Sequence, residues 1–119
     1  MTATTSDMRY EEIAVKNGDI DLFLRSWRPT RPVGVIAIVP GFNAHSAYYG
    51  WAAEHFVQAG FAVYAVDLRG RGKSGGERFY VDTFDEYVSD AAACVAVANP
   101  LGLQITYFRV DQAFEETKQ

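Results

Sequence analysis

The chain is poor in the residue types on which several large classes of protein depend. Cys94 is its one cysteine among 119 residues, which excludes an internal disulfide and a metal cage built from several thiolates. Eleven Lys and Arg stand against 15 Asp and Glu, a net charge of −4, and the basic residues are scattered. Phosphate-rich partners need a basic patch, so we expect no nucleic-acid partner.

Long apolar runs are missing as well. No stretch approaches the ~18 apolar residues of a membrane-spanning helix, and the opening letters MTATTSDMRYEE lack the basic-then-apolar order of a secretory signal. We therefore expect a cytoplasmic protein without a membrane span. The length suits one domain, which we place at residues 8–110, between a flexible tail at 1–7 and a polar tail at 111–119.

What the sequence does contain is an alternation of strand and helix patterns. Residues 9–15 and 20–27 alternate in polarity around Asn17-Gly18, which predicts a β-hairpin. Three apolar stretches follow, separated by two helical patterns, at 33–39, 61–66 and 105–110. This order predicts an α/β fold: an N-terminal β-hairpin followed by a βαβαβ parallel sheet with right-handed crossovers.

Each helical pattern has boundary signals and an apolar stripe. In the first, Ser46 is a candidate N-cap and Gly60 a stop signal, and in the second, Thr83 and Glu86 have capping-box spacing. The first stripe consists of Tyr49, Ala53, Phe56 and Val57. The second consists of Phe84, Tyr87, Val88, Ala91, Cys94, Val95 and Ala98.

The glycine-rich stretch DLRGRGKSGG, residues 67–76, matches two motifs of different chemistry. Its letters GKSGG fit G-x-S-x-G, the nucleophile elbow of serine hydrolases. An elbow needs a helix directly after the serine, but no helical pattern begins before Thr83. Both histidines, His45 and His55, also precede Ser74, whereas the triad histidine of this class follows the serine. We therefore predict that Ser74 is not a nucleophile.

The same stretch fits G-x-G-x-x-G, the dinucleotide fingerprint, at Gly70, Gly72 and Gly75. That motif requires a helix that opens within it and an acidic residue at the end of the next strand, whereas Asp90 falls in the middle of the second helix. A Walker A loop fails because Asp67 stands at the place of its first glycine. We interpret the stretch as a tight structural loop, with nucleotide binding as the weakest alternative.

The segment VIAIVPGFNAHS, residues 35–46, decides between these interpretations. It runs from a buried strand through Pro-Gly and a polar turn, as an oxyanion loop does. Together with GFAVYAVDLRGRGKSGGERFYVDTFDEYVSD it resembles the N-terminal half of the α/β-hydrolase family. The nearest branch is that of the monoacylglycerol lipases and lysophospholipases, also called serine aminopeptidase-like. The resemblance covers about residues 8–103 and implies a partial α/β-hydrolase fold.

The resemblance also implies a function and a set of site residues. It implies an esterase or lipase acting on acyl esters or lysolipids once the full domain is complete, with no cofactor and no metal. The candidate oxyanion donor is the backbone N–H of Phe42, in a loop with Gly41, Asn43, His45 and Ser46. The DxRGxGxS loop is structural in this family, and its residues here are Asp67, Arg69, Gly70, Gly72 and Ser74.

Two departures from the family pattern limit how far the family's residue roles apply to this chain. Pro40 replaces a more common histidine, so the anchoring of the loop is expected to differ while the donor at Phe42 is kept. After the third apolar stretch the family continues into GHSxGG, which contains the nucleophile, whereas this chain reads RVDQAFE. Asp111 falls near the nucleophile position, but Arg109 and Ala113 stand where the turn needs glycine, so we reject it.

Two hypotheses therefore stay open. The chain is the N-terminal portion of a serine hydrolase that is inactive as these 119 residues, or it is a non-catalytic binding module on a truncated hydrolase scaffold. In the family the strand at 105–110 is an interior strand of a sheet ordered one, two, four, three, five. As an open edge of high β-propensity it would recruit another strand, so we expect self-association through residues 105–110.

Overall fold

A computed structural model describes residues 8–41 and 44–99 and the strand at 105–108. The elements run in chain order as β1 Arg9–Asn17, β2 Ile20–Arg28, β3 Gly34–Ile38, a 3₁₀ turn Ser46–Tyr49, α1 Gly50–Gln58, β4 Phe61–Asp67, α2 Phe84–Ala98 and β5 Ile105–Phe108. The predicted tails at 1–7 and 111–119 lie outside the described residues, as do Phe42 and Asn43.

The five strands form one mixed sheet in the order β1-β2-β4-β3-β5. β1 and β2 pair antiparallel through a tight turn at Asn17-Gly18, where Gly18 takes a φ of +63°. β2 pairs antiparallel with β4, while β3 pairs in parallel with both β4 and β5. The predicted hairpin, βαβαβ connectivity and strand order are confirmed. β3 is shorter than predicted at its start, because Val33 is 71% exposed and precedes the first ladder residue.

The two faces of the sheet carry separate apolar layers. On one face Leu22, Leu24, Val35, Tyr64 and Val66 pack with Cys94 and Ala98 of α2. On the other face Trp27, Ile36, Ile38, Val63 and Ala65 pack with Ala53 and Val57 of α1. Burial on both faces explains why β3 and β4 read as unbroken apolar runs rather than alternating ones. The predicted stripe of α1 is confirmed, since Tyr49 and Phe56 also contact this second layer.

Two local predictions are wrong. Ser46 is not a side-chain N-cap: it opens the 3₁₀ turn, α1 begins four residues later at Gly50, and the Ser46 hydroxyl faces Arg25 instead. The stripe of α2 is rotated as well, because Phe84 and Val88 are exposed while Asp90 is fully buried. The helix turns Asp90 inward because this carboxylate pairs with Arg69, and a paired buried charge overrides apolar periodicity.

The predicted capping box of α2 is confirmed. Its N-cap is Thr83, and the Glu86 carboxylate accepts hydrogen bonds from the backbone N–H of Asp82 at 2.8 Å and of Thr83 at 3.4 Å. These contacts satisfy amides that have no partner within the helix. They therefore fix where α2 begins. Residues 68–83 lie between the end of β4 and this helix, and other contacts hold that long loop.

Candidate functional site

Two loops leave the sheet at the carboxyl ends of β3 and β4. Because these strands are parallel neighbours, both loops emerge at the same edge, the edge where ligands bind in open α/β sheets. We call residues 39–46 the oxyanion loop and residues 67–78 the glycine loop. The first contains the candidate oxyanion donor, and the second contains the ambiguous motifs.

The oxyanion loop begins with buried backbone and turns sharply. Pro40 and Gly41 are buried, and the Ala44 N–H donates to the Gly41 carbonyl at 3.1 Å. Phe42, whose N–H is the candidate donor, lies outside the described residues together with Asn43, so that assignment stays a prediction. The His45 ring stacks on Tyr48 with centroids 4.2 Å apart, and its carbonyl accepts the Tyr48 N–H.

Ser46, at the end of the oxyanion loop, is completely buried and held at two atoms. Its backbone N–H donates to Asp67 Oδ1 at 2.6 Å, and its hydroxyl accepts from Arg25 Nε at 3.0 Å. Arg25 also donates to the Tyr10 hydroxyl at 2.5 Å and pairs with Glu12 at 3.3 Å. The end of the loop is therefore attached to both β4 and the hairpin.

Several backbone amides of the glycine loop donate to groups inside the protein. The N–H of Gly70 donates to the Gly75 carbonyl and that of Gly75 to the Asp21 carbonyl. Three further amides donate in the same way. The Arg71 N–H donates to the Leu68 carbonyl, the Ser74 N–H to the Arg71 carbonyl, and the Lys73 N–H to the Asp67 carboxylate. An anion site needs amides that point at the ligand. These amides are occupied, which argues against a nucleotide site here.

The glycines of this loop are not equivalent. Gly70 and Gly72 have φ values of +74° and +48°, and a Cβ on either would collide with protein atoms. At Gly70 the obstruction includes the backbone nitrogen of Phe79 at 3.2 Å, and at Gly72 it is the Asp67 carboxylate, with Cγ at 2.5 Å. Gly75 has neither restriction, because its φ is ordinary and its nearest neighbour is 3.5 Å away.

The Ser74 hydroxyl is committed to the sheet. Ser74 is 2% exposed, and its Oγ donates to the Asp67 carbonyl and accepts the Phe23 N–H at 2.8 Å. Phe23 and Asp67 are paired residues at the end of the β2–β4 ladder. The hydroxyl thus joins the two strands at the last rung of the ladder, and its proton is donated to a backbone carbonyl instead of to the base that a nucleophile requires.

A buried ion pair attaches the start of the glycine loop to α2. The Asp90 carboxylate accepts from the Arg69 backbone N–H at 3.0 Å and from the Arg69 guanidinium at 2.9 Å. Asn17 donates to the same carboxylate at 2.9 Å, which adds the hairpin turn. The hydrogen bond to Asp90 raises the pKa of Arg69 above its usual range, although burial opposes this. Arg69 therefore stays charged at any physiological pH.

Sequence reasoning missed the roles of Asp90 and Arg25. From the sequence we weigh Asp90 only as a ribose ligand, although an acid that directly precedes the small apolar run AAAC in α2 is itself a signal of a buried partner. Arg25 sits inside the apolar strand letters FLRSW, which is a similar signal. The two remaining reactive side chains are uninvolved. His55 is exposed and stacks on Trp51, and burial raises the pKa of the Cys94 thiol to about 12.

Within residues 8–41 and 44–99, no three His, Cys, Asp or Glu side chains come together in a way that could hold a metal ion. No helix in the described part of the chain is long and apolar enough to cross a membrane.

The sheet order, the two loops and the paired layers define the class of protein: this is a partial α/β-hydrolase fold. Residues 30–104 match the family described as serine aminopeptidase, S33, and the chain belongs to that family. The sequence resemblance to its monoacylglycerol lipase branch is thereby confirmed.

Three proteins illustrate the likeness. The monoacylglycerol lipase of Mycolicibacterium smegmatis is 35% identical over 94 residues, covering 78% of this chain and 34% of that enzyme. Protein K6 of vaccinia virus is 36% identical over 59 residues, covering 49% of this chain and 73% of K6. A thermostable carboxyl esterase from Bacillus coagulans, solved with glycerol, superposes with a TM-score of 0.70 at 23% identity, covering 84% of this chain and 35% of the esterase. The chain thus spans about a third of the lipase and of the esterase.

Proposed function

We propose that this chain supplies the oxyanion-loop half of an ester hydrolase of the monoacylglycerol lipase type, acting on acyl esters or lysolipids. The observation that carries the proposal is the double attachment of Ser46, which fixes the end of the loop after β3 at the ligand-binding edge of the sheet. Membership of a lipase- and esterase-type family supports the same reading.

The chemistry follows from what an oxyanion loop can do. In acyl transfer a serine attacks the ester carbonyl, and negative charge develops on the carbonyl oxygen. A preorganised backbone N–H at Phe42 would stabilise that charge, and such a donor is worth about 3 kcal/mol of barrier. The nucleophile and its imidazole base would come from the remainder of the family fold.

We further propose that these 119 residues do not hydrolyse esters by themselves. Ser74 has its hydroxyl engaged by two backbone groups, and both histidines, His45 and His55, precede it, whereas the triad histidine of this class follows the serine. The alternative is a non-catalytic binding module on the same scaffold. The sequence RVDQAFE in place of GHSxGG favours that alternative if the gene encodes no further hydrolase segment.

Split-enzyme complementation tests the proposal. The chain is expressed alone, and with the C-terminal two thirds of the M. smegmatis lipase, and monoacylglycerol hydrolysis is measured. We expect no turnover from either part alone and turnover from the pair. Phe42→Pro deletes the donor N–H and should lower kcat of the pair by roughly 100-fold or more, whereas Phe42→Ala keeps the N–H and serves as the matched control.

An inactive pair that nevertheless forms a stable complex would favour the binding module. Sequencing of the gene around codon 104 separates the two readings independently, because a downstream or shifted frame encoding GHSxGG would indicate an enzyme. A cytoplasmic location is part of the proposal, and fractionation of cells that express the protein tests it.

A further inference from the structure

One buried carboxylate links the oxyanion loop to the glycine loop. Asp67 closes β4 and is 1% exposed. Its Oδ1 accepts the Ser46 N–H at 2.6 Å, and its Oδ2 accepts the Lys73 N–H at 2.9 Å. We propose that Asp67 is a positioning residue for the oxyanion loop and that the glycine loop is the brace that fixes its carboxylate. The inference rests on the proposed function, because the loop meets a developing charge only if the completed protein carries out acyl transfer.

The brace works because the two oxygens have separate tasks. One oxygen holds the end of the oxyanion loop, and the other is held by the glycine loop, so the plane of the carboxylate is fixed at both atoms. An amide side chain at position 67 has one acceptor oxygen and could satisfy only one of the two backbone donors. The arrangement therefore requires a carboxylate and not merely a polar group of the same shape.

Gly72 shows how closely the glycine loop is fitted to this carboxylate. A Cβ at this position would lie 2.5 Å from Asp67 Cγ and 3.0 Å from Oδ1, so any side chain would push the carboxylate out of place. Gly18 makes the same conformational demand, with a φ of +63°, but it faces open space. Comparing alanine at Gly72 with alanine at Gly18 therefore distinguishes the strain of a positive φ from the effect of displacing Asp67.

The attachment matters for catalysis because oxyanion donors act through preorganisation, and small misplacements are costly. The oxyanion loop starts at the end of β3, which the sheet fixes, and ends at Ser46, which Asp67 and Arg25 fix. Asp67 holds the backbone and Arg25 holds the side chain. Loss of the backbone contact frees the loop end to shift even while the hydroxyl contact remains.

The first test follows amide resonances and hydrogen exchange in the ¹⁵N-labelled chain. In Asp67→Asn we expect the amide resonances of Ser46 and Lys73 to move. We expect exchange at residues 44–46 to rise about tenfold or more relative to Val63, in the middle of β4, because a charged hydrogen bond is lost. The matched control is Asp19→Asn, which makes the same charge change at an exposed turn residue and should leave the exchange of Ser46 unchanged.

The second test approaches the same carboxylate from the glycine loop and decides the matter if Asp67→Asn fails to fold. Gly72→Ala should speed exchange at Ser46, because the added methyl group displaces the Asp67 carboxylate that accepts the Ser46 N–H, whereas Gly18→Ala should not. The proposal is overturned if Ser46 exchange, relative to Val63, rises no more in Gly72→Ala than in Gly18→Ala. Ester turnover does not enter this readout, so a failure of the proposed function and a failure of the brace are separate results.

Discussion

The oxyanion loop and the glycine loop leave neighbouring strands at the same edge of the sheet, yet they differ in how many of their hydrogen bonds are internal. The glycine loop is held mostly by its own backbone, with Gly70, Arg71 and Ser74 donating to carbonyls of the loop itself. In the described part of the oxyanion loop, one internal backbone hydrogen bond runs from the Ala44 N–H to the Gly41 carbonyl, and the end of the loop is held by side chains of β2 and β4.

The difference teaches where motif matching misleads. The loop that carries two enzyme-like signatures is rigid because its glycines and polar groups satisfy one another, so little is left to act on a ligand. The oxyanion loop, which matches neither of those two signatures, is the one whose end is held by side chains of β2 and β4. Many hydrogen bonds within a loop thus indicate a structural role. A loop end that side chains of other elements hold in place is more typical of a functional site.

The largest effect is expected where the glycine loop has no room. Gly70→Ala places a Cβ against the backbone of the 77–80 segment at a φ of +74°, so we expect a loss of roughly 3 kcal/mol or more in the free energy of unfolding. Gly18→Ala, at a similar φ in open space, should cost about 1 kcal/mol. Urea denaturation of both variants measures the difference, and equal losses would show that the packing of the loop is not the cause.

An effect of similar size is expected from the ion pair between Arg69, near the start of the glycine loop, and Asp90 of α2. Asp90→Asn removes a fully buried carboxylate from Arg69, which leaves that guanidinium without its main partner, so we expect about 3 to 5 kcal/mol of destabilisation. Asp21→Asn breaks the exposed pair with Lys16 and should cost less than about 0.5 kcal/mol. Thermal or urea unfolding of the two variants gives the ratio, and a small loss for Asp90→Asn would mean that the pair does not fix the loop.

A smaller effect is expected at alkaline pH from Cys94, which is buried in the apolar layer between the sheet and α2. Burial raises the pKa of this thiol from 9.0 to about 12, so the folded state keeps it neutral after the unfolded state has ionised. The contribution is fully present below pH 9 and is lost between about pH 9 and 12, at no more than roughly 1.4 kcal/mol per pH unit. Subtracting the pH profile of Cys94→Ala isolates it, and identical slopes would contradict the assignment.

The smallest expected effect is association through β5, which lies at one end of the strand order. We propose that the folded chain forms a dimer or higher oligomer by pairing at residues 105–110, because an open edge of high β-propensity recruits another strand. Light scattering coupled to size exclusion at micromolar concentration tests this, and Thr106→Lys should shift the chain toward monomer. A monomer whose amides at 105–110 resist exchange would contradict it.

The sequence was sufficient for the elements and their order, because each depends on local pattern. Unbroken apolar runs at β3 and β4, the Asn17-Gly18 turn and the Thr83–Glu86 capping box are all readable without partners. The face of α2 was not readable in this way. Its phase depends on Asp90 meeting Arg69, a contact between the helix and a loop that no periodicity contains.

The attachments of the oxyanion loop were beyond sequence reasoning for the same reason. Ser46 fits a helix N-cap by its position, but Arg25 and Asp67 reach it from strands 21 residues away on either side. Likewise, Gly75 looks as essential as Gly70 and Gly72 in the letters, whereas its φ and surroundings allow a side chain. Three-dimensional neighbours, not spacing, decide which glycine is required.

The central claim is that the glycine loop is scaffold and that its serine is no nucleophile, and labelling with a fluorophosphonate probe tests it most directly. Intact mass measurement of the 119-residue chain after incubation with the probe should show no adduct, because Ser74 is buried and its hydroxyl is bound to the backbone of β2 and β4. Stoichiometric labelling that disappears in Ser74→Ala, with that variant still folded, would contradict the account.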